Sequence, residues 1–364
     1  MKNVLIQNKQ DSYHKILNLI INKQRISRKE IADELSLAWG TVSSNINLMI
    51  DQKLIKEESP IVNGVGRSTC YLIPSNEKYA IIGVDINTIG ISSSVVLLNG
   101  ETIFTDVKTL EDFNQDEIVN KTLSTIQRAI EFNDNKYQII AVGLSCQGDT
   151  YSQKGIYVDM PFIKDWMPIN LVEIIENKCN IPTYQSHDME CLLLDLTFRN
   201  PGHNNFLVTR VVDGIGFGII KDGVVLNEKI SIDYGHEIIE RNGLACECGQ
   251  KGCLEAYSSI RGILRRLNIT EAELFSNYKK YDEVLDDAID KFSFSVYNVA
   301  SIYNLKDVII CGKLFTQIPE LFTRLEDKIN LIHKRKNFSL NLNFLTDLSP
   351  SFGAALYALR KVIE

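Results

Sequence analysis

The chain has 364 residues, 45% hydrophobic and 23% charged, which predicts two or three domains with enough apolar material for sizeable cores. No run approaches the ~18 apolar residues a bilayer crossing needs, and the opening "MKNVLIQNKQ" lacks the apolar core of a secretory signal, so a cytoplasmic protein without a membrane partner is expected. The formal net charge of −7 is uneven: residues 1–75 carry 10 Lys and Arg against 7 Asp and Glu, the remainder 29 against 39, which permits a polyanionic partner for the head alone.

In chain order, "HKILNLIINKQ" spaces Ile16, Leu17, Leu19, Ile20 and Ile21 as a helix does. Ser27 followed three residues later by Glu30 reads as a capping box that opens a second helix over 27–37. A third helix is expected over 39–53, with Val42, Ile46, Met49 and Ile50 as its apolar stripe. It starts without a good N-cap residue. Its other face offers Thr41, Ser43, Ser44, Asn45 and Asn47, short polar groups suited to phosphates and base edges. Two strand-like runs, "LIKEES" and "CYLIP", flank a glycine-rich tip carrying Arg67. Helix, helix-turn-helix and wing predict a winged helix over 1–75, with double-stranded DNA as partner and Ser27, Arg28, the third-helix polar residues and Arg67 as contacts. The competing reading is a small helical interaction domain.

From residue 79 the pattern changes. Strands are expected at 79–86 and 90–100, joined as a hairpin by "NTI", then a helix over 114–133 and a buried strand over 137–148. A strand at 205–212 runs into "DGIGFGIIKDG"; helices follow at about 253–267 and 283–304, then a strand at 307–312 and a capped helix over 349–363. Strands alternating with helices, with glycine turns at strand ends, predict an α/β body over 79–364 that binds ligands at strand C-termini. No sequence repeats are visible.

The segment "GHEIIERNGLACECGQKGCLEAY", residues 235–257, concentrates chemistry. Cys246, Cys248 and Cys253 follow a C-x-C-x4-C spacing, with His236 ten residues upstream. Three thiolates and an imidazole form the closed four-ligand shell of a structural zinc ion. A disulfide is disfavoured in a reducing compartment, and a nucleophilic cysteine has no use for two more. The open alternative is a His236 that only hydrogen-bonds nearby. The other five cysteines, Cys70, Cys146, Cys179, Cys191 and Cys311, read as small buried hydrophobes.

This segment resembles the signature of the ROK family (repressors, open reading frames and sugar kinases): G-H, then C-x-C-G-x-x-G-C-x-E, matched at Gly235, His236, Cys246, Cys248, Gly249, Gly252, Cys253 and Glu255. "GIGFGIIKDG", "VGLSCQGD" and "PFIKDW" are similar to further family segments. The resemblance implies an actin-like, ribonuclease-H-like body of two lobes, with a sugar or sugar phosphate in the cleft and zinc supporting the sugar loop. It also implies sugar contacts from Asp188, at the position of the kinase base, and from Asp233, His236 and Glu255. The family's repressors add the winged helix that its plain kinases lack.

The same resemblance exposes departures. Where the kinases carry a D-x-G-G-T phosphate loop, this chain has Asp85-Ile86-Asn87-Thr88-Ile89, and both glycines are gone. Glycine permits close backbone approach to a phosphate; Asn and Thr restrict it. Phe162 replaces a sugar-contacting asparagine, and His187 and Glu190 flank Asp188 in place of two more. The expectation is therefore a non-enzyme: a sugar-responsive repressor of carbohydrate genes, xylose among the candidates, acting as a homodimer or higher even oligomer on a pseudo-palindromic operator. The alternatives are an ATP-dependent sugar kinase with an accessory head, and a body with a dead pocket.

Overall fold

The computed structural model describes residues 11–58, 70–160, 163, 165–226, 234–332, 338–346 and 348–364. Arg67, Phe162 and Asp233 lie outside the described residues. Two compact units divide the chain: Met1–Pro201 with Ser349–Glu364, and Gly202–Leu348.

The first unit begins with the head. Helix α1 (Asp11–Lys23) buries Tyr13, Ile16, Leu17, Ile20 and Ile21, one stripe at helical spacing. Strand β1 (Ile26–Ser27) leads into α2 (Arg28–Leu35), which starts with both halves of the capping box: Ser27 accepts from the Glu30 amide, and Glu30 accepts from the Ser27 amide. Ser36 ends α2 in the left-handed region. Helix α3 (Trp39–Asp51) has no side-chain cap at Ala38, as its sequence predicts. Strands β2 (Ile55–Glu58) and β3 (Tyr71–Pro74) pair antiparallel, and β1 adds to β3. This is a winged helix-turn-helix.

The chain then forms the hairpin of β4 (Tyr79–Asn87) and β5 (Gly90–Leu97), followed by β6 (Thr102–Thr109), α4 (Gln115–Asn133) and β7 (Gln138–Cys146). The short antiparallel strands β8 (Asp149–Tyr151), β9 (Ile156–Asp159) and β10 (Ile169–Asn170) follow. Helix α5 (Leu171–Cys179), strand β11 (Thr183–His187) and helix α6 (Asp188–Arg199) complete this stretch. The main sheet runs β11-β7-β4-β5-β6, with β7 parallel to both β4 and β11 and the rest antiparallel.

The second unit repeats that order. Strands β12 (Phe206–Val211), β13 (Ile215–Lys221) and β14 (Val224–Val225) form an antiparallel set. A long connection carries α7 (Glu255–Ser258), α8 (Ile260–Leu267), α9 (Glu271–Ser276) and α10 (Asp282–Ile302). Strand β15 (Asp307–Cys311), helices α11 (Lys313–Gln317) and α12 (Glu320–Ile332), and strand β16 (Asn341–Phe344) close the sheet as β14-β13-β12-β15-β16. Each unit thus carries three antiparallel strands and two parallel ones in the same order, the two-lobed α/β class expected from the sequence. The single helix predicted over 253–267 is two, because Ser259 is extended and its hydroxyl accepts from the Gly262 amide at 2.9 Å, capping α8 anew.

The last helix, α13 (Pro350–Ile363), returns to the first unit. Ser349 caps it, and the Ser349 amide donates to buried Asp195 of α6 at 2.8 Å. It lies directly on the sheet: a Cβ on Gly83 of β4 would fall 1.8 Å from the Ser351 carbonyl oxygen, and one on Gly143 of β7 1.9 Å from that of Ala354. Only glycine allows that approach. Head and sheet share one core, in which Tyr13, Ile16 and Ile20 join Tyr79, Ile81 and Ile363. His14 of α1 hydrogen-bonds through Nδ1 to the Ile363 carbonyl. Among the described residues no helix is long and apolar enough to cross a membrane.

Candidate functional site

The connection after β14 folds around a cluster of sulfur and nitrogen. Two isolated bridges, Ile238 with Cys253 and Ala245 with Lys251, draw the loop closed. Gly252 has φ +84°, and a Cβ there would fall 1.8 Å from the Glu240 carbonyl oxygen. The result brings His236, Cys246, Cys248 and Cys253 together, with their ligand atoms all within 4.8 Å of one another.

The spacing fits a tetrahedral ion. Zn–S and Zn–N bonds of about 2.3 and 2.0 Å put sulfurs about 3.8 Å apart and sulfur and nitrogen about 3.5 Å apart. Cys248 Sγ lies 3.7 Å from Cys253 Sγ, and His236 Nδ1 lies 3.5 Å from Cys246 Sγ. The Cys248–Cys253 separation is far from the ~2.05 Å of a disulfide, and all three cysteines are free. Burial pushes the Cys246 and Cys253 thiols above the ordinary range, and the neighbouring cysteines reinforce the rise at Cys253. A cation held between them would favour the thiolate form of both.

The other imidazole nitrogen, His236 Nε2, faces Glu255 Oε1 at 3.9 Å, the kind of carboxylate partner that orients an imidazole able to hold a metal. Glu255 Oε2 accepts from the Ile215 amide at 3.2 Å, in the β12–β13 turn. Gly214 and Gly235 make room for it: a Cβ on either would fall 2.7 or 3.2 Å from that oxygen. The cluster, Glu255 and the glycine turn are therefore one connected arrangement.

The equivalent β4–β5 turn is closed differently. Asn87 Oδ1 accepts from the amides of Ile89 at 2.8 Å and Gly90 at 3.2 Å, while its Nδ2 donates to Asp85 at 2.8 Å. The Thr88 amide donates to Gln147 Oε1 at 3.0 Å. Three successive amides of the turn are bonded to side chains of the protein itself. Asp85 is buried and also accepts from Ser145 Oγ at 2.6 Å. Sequence reading found Asp85 and Asn87 but not Gln147, which lies 59 residues from Thr88 and gives no local signal.

Asp188 is the first residue of α6, buried and 3.1 Å from His187 Nδ1. Its neighbour Glu190 is buried and accepts from Ser186. Burial and the charges of Asp85 and Asp188 push the Cys146 thiol well up.

In the head the expected contact residues divide. Ser44 and Asn47 are exposed on α3; Thr41 and Ser43 are half-buried. Arg28 donates to Asn47 Oδ1 and pairs with Glu57 at 2.9 Å. Two expectations need correction. Ser27 is buried as the α2 cap, and Asn45 is buried with its amide donating to the Thr41 carbonyl at 2.8 Å. Asn45 sits three residues after Val42 and four before Met49, on the core stripe. The structure instead exposes Trp39 and Leu48, which the polar reading of this helix passed over.

Residues 81–361 match the model of the ROK family, and residues 14–56 match that of a winged helix-turn-helix DNA-binding domain. A xylose repressor from Bacillus spizizenii is 24% identical over 336 residues, covering 86% of this chain and 85% of its own. A glucokinase from Thermotoga maritima is 26% identical over 213 residues, 57% of this chain and 64% of its own. The crystal structure of a ROK family transcriptional regulator, a homologue of the E. coli MLC protein, superposes with a TM-score of 0.77 at 18% identity, covering 96% of this chain and 95% of that one.

Proposed function

Since the chain belongs to the ROK family and carries a winged helix-turn-helix at its head, we propose that it is a sugar-responsive DNA-binding transcriptional regulator, a repressor of carbohydrate-utilisation genes and not a kinase. The observation that carries this reading is the pairing, in one chain, of that head with a first turn whose amides are already held by Asn87 and Gln147. Phosphoryl transfer needs such amides for the nucleotide. The family domain is assigned to residues 79–364 and the DNA-binding domain to 1–75.

His236, Cys246, Cys248 and Cys253 hold a zinc ion in this proposal, with no position left for water. The ion fixes the loop that presents Glu255. Sugar hydroxyls are assigned to Asp188, Asp233, His236 and Glu255, since carboxylates each accept two or more such bonds. DNA contacts are assigned to Arg28, Thr41, Ser43, Ser44, Asn47 and Arg67. The protein works in the cytoplasm as a dimer or higher even oligomer, so that two heads meet a twofold operator.

The route from sugar to DNA runs through packed helices of the first unit. Asp188 opens α6, a Cβ on Gly353 of α13 would fall 1.8 Å from the α6 carbonyl of Cys191, and α13 ends against α1. A sugar that binds one arrangement of these helices more tightly shifts the population, and with it the affinity of the head.

The test is selection of bound DNA from a random pool, followed by titration of the selected duplex with a monosaccharide panel. Xylose heads the panel because the relative aligned over 86% of the chain bears its name. One sugar should weaken operator binding at least ~10-fold, a coupling of about 1.4 kcal/mol. Asp188→Ala should bind DNA and lose the response. Sugar-dependent ATP consumption abolished by that change would overturn the reading in favour of a kinase.

A further inference from the structure

The residues of α3 read WGTVSSNINLMID, with no lysine or arginine among them. Guanine in the major groove is read chiefly by bidentate Arg or Lys at its O6 and N7. This helix has neither. What it exposes instead is apolar: Trp39, its first residue, is 58% exposed, and Leu48 is 38% exposed. Gly40, beside the indole, is exposed too, and a Cβ there would meet nothing within 4 Å. The fold does not require that glycine, which costs helix stability relative to alanine. An outside surface that must come close to the helix explains both it and the uncovered indole.

Resting on the DNA-binding reading above, we propose that Trp39 is a specificity-determining residue whose indole packs on thymine C5-methyl groups in the major groove, so that the half-site beneath the first turn of α3 is A·T-rich. The first residues of a recognition helix are those that meet base edges. The thymine methyl is the apolar feature of the major-groove edge and takes apolar side chains. Asn47, exposed two turns on, carries an amide of the kind that reads adenine, with its Oδ1 also accepting from Arg28.

The experiment uses the full chain and a selected operator made twice, with thymine or with uracil at the positions under α3. Uracil keeps the pairing edge and lacks only the methyl. Wild type should bind the uracil duplex roughly fourfold more weakly per contacted methyl, the factor expected for one buried methyl-sized group. Trp39→Ala should bind both duplexes equally and lose the thymine enrichment in a repeat selection. Its ratio of operator affinity to random-sequence affinity should fall, because the random-sequence term comes mainly from phosphate contacts. Trp39→Phe should keep the preference, which separates lost contact from lost folding. Equal binding of both duplexes by wild type overturns the proposal, as do guanine-anchored half-sites that Trp39→Ala retains. A pool that yields no enriched DNA overturns the DNA-binding reading itself, and this inference with it.

Discussion

The two units carry five-stranded sheets of identical strand order, yet they close the same two places with different residues. In the first sheet the opening hairpin turn has Asn87, Thr88 and Ile89 ahead of Gly90, and Asn87 and Gln147 hold its amides; in the second it keeps Gly214, and its Ile215 amide is held by Glu255. The passage from third to fourth strand differs as well. In the first unit it is one short loop and α4, pinned where Glu117 accepts from the Glu111 and Asp112 amides, each at 2.8 Å. In the second it is long, and the four side chains of the metal cluster pin it. One topology therefore tolerates either local hydrogen bonds or a cluster of one histidine and three cysteines at this passage. The turn that carries Gly214 is tied through Glu255 to the cysteine and histidine cluster, whereas the amides of the first turn are bonded to Asn87 and Gln147.

The largest expected effect comes from breaking the second fastener. Cys253 is fully buried, and Cys253→Ser removes one of the four zinc ligands proposed above. In zinc-finger peptides a structural zinc supplies about 10–16 kcal/mol of folding energy, and even partial loss here should cost several. Hydrogen exchange should rise across residues 202–348 while the first sheet stays protected, and elemental analysis should find one zinc in wild type and none in the variant. Zinc-free wild-type protein that melts at the same temperature as the purified chain would dispose of the structural role.

Much of this contrast was readable in the residues. The spacing of Cys246, Cys248 and Cys253, the capping box at Ser27 and Glu30, the β4–β5 hairpin and the Ser349-capped final helix are local patterns, and each formed where the pattern put it. What escaped depends on contacts far apart in sequence. Gln147 seals a turn 59 residues away, and Tyr13 shares a core with Ile363. The duplicated sheet left no sequence repeat because the likeness lies in hydrogen-bond order, which many residue choices satisfy. Asn45 was missed for a different reason: polarity outweighed periodicity, although its spacing from Val42 and Met49 marks the buried stripe.

Opening the first turn should cost less than losing the ion. Asn87→Ala removes the acceptor for two amides, but Ile89 is 45% exposed, so water takes over part of the bonding. The loss should be about 1 kcal/mol, read as a shifted denaturation midpoint. The Thr88 amide stays on Gln147, so the variant should bind a non-hydrolysable ATP analogue no better than wild type. Micromolar binding of that analogue by the unaltered chain would contradict the view of this turn as closed.

The smallest effect tests the fastener of the first crossover. The ion pair with Lys121, aided by the two amides, holds the Glu117 carboxyl at about 2, below its ordinary 4.5. A carboxyl lowered by folding stabilises fully above its unfolded pKa, and that contribution fades as pH falls through the folded value. Glu117→Gln should therefore lower the melting temperature by a few degrees at pH 7. The gap between variant and wild type should narrow below pH ~4.5 and close near pH ~2. Above pH 5 the gap should be flat, because both reference and folded carboxyls are then ionised. A gap that persists unchanged at pH ~2 would mean that Glu117 acts through packing and not through its charge.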